Sequence, residues 1–140
     1  MRLILLVFIS IWISSCVKNS FKFDMFRPYK MTLSNIVTNG FSRVYGVDEV
    51  SYSNTVKDST ITYFFDEKKL TAQYWDVKID EIDQEYISSM FSKYGCAVQD
   101  SIKLETPFRV NNYKNNAFLV SKIEKDEQGF TLRVMFHFPL

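Results

Sequence analysis

The chain has 140 residues, is 46% hydrophobic, 16% aromatic and 24% charged, and contains only four glycines and three prolines. That length fits a single domain, and the composition excludes collagen-like, linker-like and intrinsically disordered classes. A formal charge of +1 supplies no field for gripping a phosphate backbone, so no nucleic-acid partner is expected.

The amino-terminal segment differs in kind from the rest. After Arg2, residues Leu3 to Ile13 form an apolar run interrupted only by Ser10. Crossing the hydrocarbon core of a bilayer takes roughly 17–25 apolar residues. The run is short for a stable span and suits the h-region of a signal peptide behind a short positive n-region. A buried core helix or strand is the competing reading. Next come Ile13, Ser14, Ser15 and Cys16: an aliphatic residue, two small residues and a cysteine. This box resembles the lipobox of bacterial lipoproteins. The resemblance covers about the first sixteen residues, with Ile in place of the commoner Leu and one arginine where two or more charges are usual. It implies removal of residues 1–15 as a signal peptide, diacylglyceryl transfer to the Cys16 thiol, and often an N-linked acyl chain such as palmitate. It further implies a domain outside the cytoplasm, lipid-anchored to the cell membrane or, since Val17 is not aspartate, to an outer membrane.

Residues 16–28 are then a lipidated tether and 29–140 a single domain. Removing residues 1–15 takes away one charged group, Arg2, and leaves sixteen basic and sixteen acidic side chains. Lipidation of Cys16 leaves Cys96 unpaired, and an unpaired cysteine usually sits in the core as a small hydrophobe. The other reading is a Cys16–Cys96 disulfide. Val17 to Lys30 is basic and aromatic. It either rests at a bilayer interface or begins the first strand with Phe21 and Phe23.

Beyond a tight-turn signal at Asn39-Gly40, residues 43–47, 49–56 and 60–65 are rich in β-branched and aromatic residues and read as strands. A hairpin is expected where Asp66 to Lys69 separates 61–65 from 70–77. The period then changes: Ile79, Ile82, Tyr86, Ile87, Met90, Phe91 and Tyr94 share one face at 100° per residue. One amphipathic helix is expected over about 79–94, with Asp80 as N-cap, Asp83 as its capping-box partner and Gly95 as its stop. Strands follow at 97–104 and 108–113, then the asparagine-rich loop 111–116. Residues 117–125 and 130–138 form a closing hairpin. The expected fold class is α+β, a mostly antiparallel β-sheet with that one helix packed on it. The layout around Tyr63-Phe64-Phe65 and Lys93-Tyr94-Gly95 is similar to that of small exported lipoproteins, and it assigns no functional residue.

Motifs for chemistry are sparse. His137 is the only histidine, which rules out multi-histidine zinc sites. It stands between Phe136 and Phe138 on the expected solvent face of the last strand, and a Cys96–His137 pairing remains open. The densest charge cluster is Asp76, Asp80, Glu81, Asp83 and Glu85. It lacks the spacing and internal glycine of a calcium loop, and acidic residues in a first helical turn are favoured by the macrodipole. Asp83 lies within the apolar arc. No catalytic residue, cofactor or metal is assigned. Two functional expectations follow. One is a non-enzymatic binding or structural module at the cell envelope, inhibitor- or immunity-like in one form, with an envelope protein, peptide or cell-wall component as partner. The other is a small carboxylate-dependent hydrolase or cation-binding protein using Asp76, Asp80, Asp83 and Glu85. Mass spectrometry of the mature protein should find an amino terminus at acylated Cys16. A free Met1 or an unlipidated Cys16 would refute the lipoprotein expectation.

Overall fold

The structure, a computed structural model, describes residues 24–44 and 50–139. The apolar run expected to be a signal peptide, Cys16, and Phe21 and Phe23 lie outside the described residues. Short helix α1 (Leu33–Thr38) precedes strands β1 (Ser42–Val44), β2 (Val50–Val56), β3 (Ser59–Asp66) and β4 (Lys69–Ile79). Helix α2 (Gln84–Lys93) then leads to β5 (Cys96–Val98), β6 (Phe108–Asn112), β7 (Ala117–Asp126) and β8 (Gly129–His137). Among the described residues the strands form one antiparallel sheet in the order β1-β2-β3-β4-β8-β7-β6-β5. Two four-stranded meanders, one on each side of α2, are thus joined along a β4–β8 seam.

Alternation decides which face each residue takes. Ile61, Tyr63 and Phe65 of β3, Trp75 of β4, Leu132 and Val134 of β8, and Leu119 and Ile123 of β7 all point inward and are buried. Ile87 and Phe91 of α2, Ile36 of α1, Phe41 and Phe26 cover them. Turns accept the conformations that their residues permit. Lys57 and Glu67, at φ 57° and 56°, open the β2–β3 and β3–β4 turns. The β7–β8 turn is braced by Asp126, whose Oδ1 accepts the Gln128 N–H at 2.8 Å.

The α+β class stands in its coarse form, a mostly antiparallel sheet with helices, but the helices differ from expectation. There are two among the described residues, not one. The expected span of 79–94 divides, because Ile79 completes β4 and α2 begins at Gln84. Asp83 rather than Asp80 is the N-cap, its carboxylate accepting the Glu85 and Tyr86 N–H groups. Asp83 is therefore exposed. Tyr86, expected in the core, is 53% exposed, and Ile82 and Met90 are half-buried. The stop is as expected: Gly95 follows the helix at φ 76°. The turn expected at Asn39-Gly40 is present and forms the exit from α1, with Gly40 at φ 81°.

The packed region also reaches back into the segment expected to be tether. Phe26 is fully buried, its ring 4.8 Å from that of Phe91 and 6.2 Å from that of Trp75. Two buried amides hold the backbone of this strap to the sheet. Asn112 Nδ2 donates to the Phe26 carbonyl at 2.9 Å, and Gln73 Oε1 accepts the Tyr29 N–H at 2.9 Å. Phe26 adopts φ 61°, a conformation that costs about 1–3 kcal/mol for a non-glycine residue. Burying its ring offsets this, at about 1.5–3 kcal/mol. In urea titration, Phe26→Ala should cost about 3–5 kcal/mol and Ile87→Ala about 2–5 kcal/mol. Tyr86→Ala should stay within about 0.5 kcal/mol. An equal effect at Ile87 and Tyr86 would show that the helix face is misassigned.

Candidate functional site: a charged groove on the outer sheet face

The outer face is formed by the alternate residues of the same strands. Cross-strand register places Thr55, Thr60, Asp76, Arg133 and Lys122 in one row and Thr62, Tyr74, Met135, Val120 and Arg109 in the next. None of these side chains belongs to the core cluster that the helices cover. At the end where β4 finishes and β8 begins, the face is concave, with a cavity of about 460 Å³.

Its floor is an ion-pair network across the seam. Arg133 Nε donates to Asp76 Oδ1 at 2.8 Å and Nη2 to Oδ2 at 3.3 Å. Arg133 Nη1 also lies 3.7 Å from Glu124, and Lys122 Nζ lies 3.6 Å from the same carboxylate. The guanidinium sits over the Tyr74 ring, 5.8 Å from its centroid. Hydrogen bonding to Asp76 holds Arg133 above its ordinary pKa, so it stays charged. With both partners partly exposed, the pair contributes about 0–1 kcal/mol at most. Its role is geometric, since a bidentate Arg–carboxylate fork fixes both side chains.

Around this floor stand exposed Lys57 and Asp58 from the β2–β3 turn, Lys78 from β4, and Lys125 and Asp126 from β7. The cavity lining carries four basic and four acidic residues. Such a surface suits a polar ligand bearing both signs of charge. It does not suit a polyanion.

Of the carboxylates considered in the sequence, only Asp76 lines this cavity. Both of its oxygens are committed to Arg133. Asp80, Glu81 and Glu85 are exposed around the start of α2, and Asp83 caps it. Among the described residues no three His, Cys, Asp or Glu side chains gather so as to hold a metal ion. His137 is exposed on β8, as its alternation predicts, and its ring lies 6.0 Å from that of Tyr74. Cys96 is buried on the inner face of edge strand β5, with β6 and β7 between it and β8. The Cys96–His137 pairing is therefore excluded. The sequence reading missed Lys57, Lys78, Glu124 and Arg133. Lys57 and Lys78 come from the β2–β4 meander and Glu124 and Arg133 from the β7–β8 hairpin, and only the register across the seam unites the two pairs.

The chain matches no family model, no curated protein and no solved structure.

Burial pushes the Cys96 thiol up to about 11, against a smaller opposing effect of Lys114. A raised thiol pKa means little thiolate at neutral pH. Cys96 should thus resist a disulfide reagent at pH 8 in the folded protein and react at once in urea. Rapid reaction of the folded protein would place the thiol outside the core.

Proposed function

We propose that this chain is a lipoprotein, cleaved before Cys16 and acylated on its thiol, whose domain is a non-enzymatic binding module at the cell envelope. The lipobox-like Ile13-Ser14-Ser15-Cys16 behind its apolar run supports the anchor. No helix among the described residues is long and apolar enough to cross a membrane.

The observation that carries the binding reading is the charged groove. Its floor is locked by Asp76, Arg133 and Glu124, while the side chains of Lys57, Lys78 and Asp58 project from its rim without ion-pair partners among the described residues. A rigid polar floor with unpaired charges at the edge is ready to meet complementary charges on a partner. The partner class is an envelope protein segment or peptide bearing both signs of charge, which includes inhibitor- or immunity-like pairing. Tethering to a membrane raises the effective concentration for a neighbour on the same surface. The hydrolase reading is the less favoured one. Asp76 is engaged by Arg133 and Asp83 by the helix terminus, so the expected pair of converging carboxylates is not assembled.

Crosslinking and pull-down from membranes with the acylated protein test this. A partner recovered by the natural chain should be lost about tenfold or more by Lys57→Glu combined with Lys78→Glu, equivalent to about 1.4 kcal/mol. Equal capture by the double variant would overturn the groove as the binding site. A hydrolytic activity abolished by Asp83→Asn would overturn the non-enzymatic reading.

A further inference from the structure

The end of the sheet opposite the groove gathers exposed residues that neither the core nor the groove uses. The β6–β7 turn carries Tyr113 and Lys114, and Phe118 follows on β7. Tyr113 is 64% exposed and Phe118 55%. The two rings border one shallow depression of about 160 Å³ with Asn116. A second depression, about 320 Å³, runs from Phe118 to Pro28, Lys30 and Pro139.

The strap delivers the amino-terminal segment to this same end. Asn112, immediately before the turn, holds the Phe26 carbonyl. The Phe26 ring meets Tyr94 at the exit of α2, and the Tyr113 N–H donates to the Gly95 carbonyl at 3.0 Å. Exposed Lys30, Lys93 and Lys114 surround the site. Among the acidic residues at this end, Asp24 is paired with Arg27 at 3.3 Å, and exposed Asp66 and Glu67 stand on the β3–β4 turn beside exposed Lys68 and Lys69.

We propose that this end of the domain rests on the bilayer, with Tyr113 and Phe118 in the interfacial zone and Lys30, Lys93 and Lys114 against anionic headgroups. The proposal rests on the lipoprotein reading, which supplies the anchor. The ten residues from Cys16 to Phe26 extend at most about 36 Å, so the lipid holds this end within reach of the surface. Aromatic rings with a polar rim favour the interface, and lysines near anionic lipid add attraction that falls off within a Debye length. β7, ten residues long, runs from this end to the groove. At about 3.3 Å per residue it places the groove's far rim at Asp126 roughly 26 Å along the strand from Phe118.

The test uses mature acylated protein on phosphatidylcholine vesicles with and without phosphatidylglycerol. An environment-sensitive dye is placed at Lys114→Cys or, at the far turn, at Gln128→Cys, and quenched by headgroup-labelled lipid. Quenching at position 114 should exceed that at 128 by roughly threefold or more on anionic vesicles. Tyr113→Ser combined with Phe118→Ser should abolish the difference while flotation with vesicles persists. Equal quenching at the two positions in protein that floats overturns the docked orientation and leaves the anchor intact. A difference that survives loss of both rings also overturns it, as does ready disulfide formation between unlabelled copies of the Lys114→Cys variant under air oxidation, which would assign this end to a second molecule. Protein that neither carries lipid nor floats overturns the lipoprotein reading and the docking with it.

Discussion

Insertion of Phe26 between α2 and the sheet is the contact on which the rest of the molecule depends. An eight-stranded sheet has far more inner face than a ten-residue helix can cover, and α2 packs chiefly over the β5 side. The remainder is closed by isolated side chains from the segment before β1: Phe26, Met31, Ile36 and Phe41. Of these, Phe26 touches both layers, meeting Phe91 and Tyr94 on one side and Trp75 on the other. Its left-handed backbone is tolerated because Asn112 and Gln73 anchor the strap through buried amide groups, where an unmatched carbonyl or N–H would be expensive. The chain therefore enters the core inside the segment expected to be tether, ten residues after Cys16.

The second constraint is the β4–β8 seam. It is the only ladder joining the two meanders among the described residues, and Asp76 and Arg133 face each other directly across it. The salt bridge that floors the groove is thus also a cross-strand contact between the halves. A one-residue slip of either strand would turn its charged residue, Asp76 or Arg133, to the inner face and bring Trp75 or Val134 out, because strand side chains alternate with period two. The apolar inner set forbids that slip. Core packing on one face consequently fixes the charge geometry on the other, and the site needs no strong electrostatic stabilisation of its own.

Much of the local structure was legible in the sequence, for definite reasons. The 61–77 and 117–138 hairpins combine clear alternation with polar turn clusters, so both local signals agree. The start of α2 was misread because Ile79 satisfies two periods at once, the 100° arc of the helix and the alternation of β4. Capping resolved it in favour of Asp83. Helix α1 has six residues and one buried side chain, too short for any period to register. The strand expected at 97–104 stops at Val98. Asp100 instead clamps Arg109 through its side chain and backbone N–H, which holds the Asp100 carboxyl down at about 2, and Gln84 takes the Ile102 N–H. The groove was not legible at all. Arg133 and Asp76 are 57 residues apart, and no local pattern reports a pairing made across a seam.

The strap and the seam together give the domain a polarity. The strap brings the amino-terminal segment in beside the β6–β7 turn, whereas the groove opens at the β2–β3 and β7–β8 turns, at the other end of the same strands. Under the lipoprotein reading these two facts divide the molecule into an anchored end and a presenting end without any hinge. The connection between them is β7 and β8, paired along most of their length. A ladder of that length transmits orientation rigidly, so whatever fixes the aromatic end also fixes the direction in which the groove faces. Anchoring at Cys16 alone would leave the orientation of the groove free. Aromatic contacts at the anchored end would remove that freedom and hold the charged rim at the far end of the strands, within reach of a partner sharing the same membrane surface.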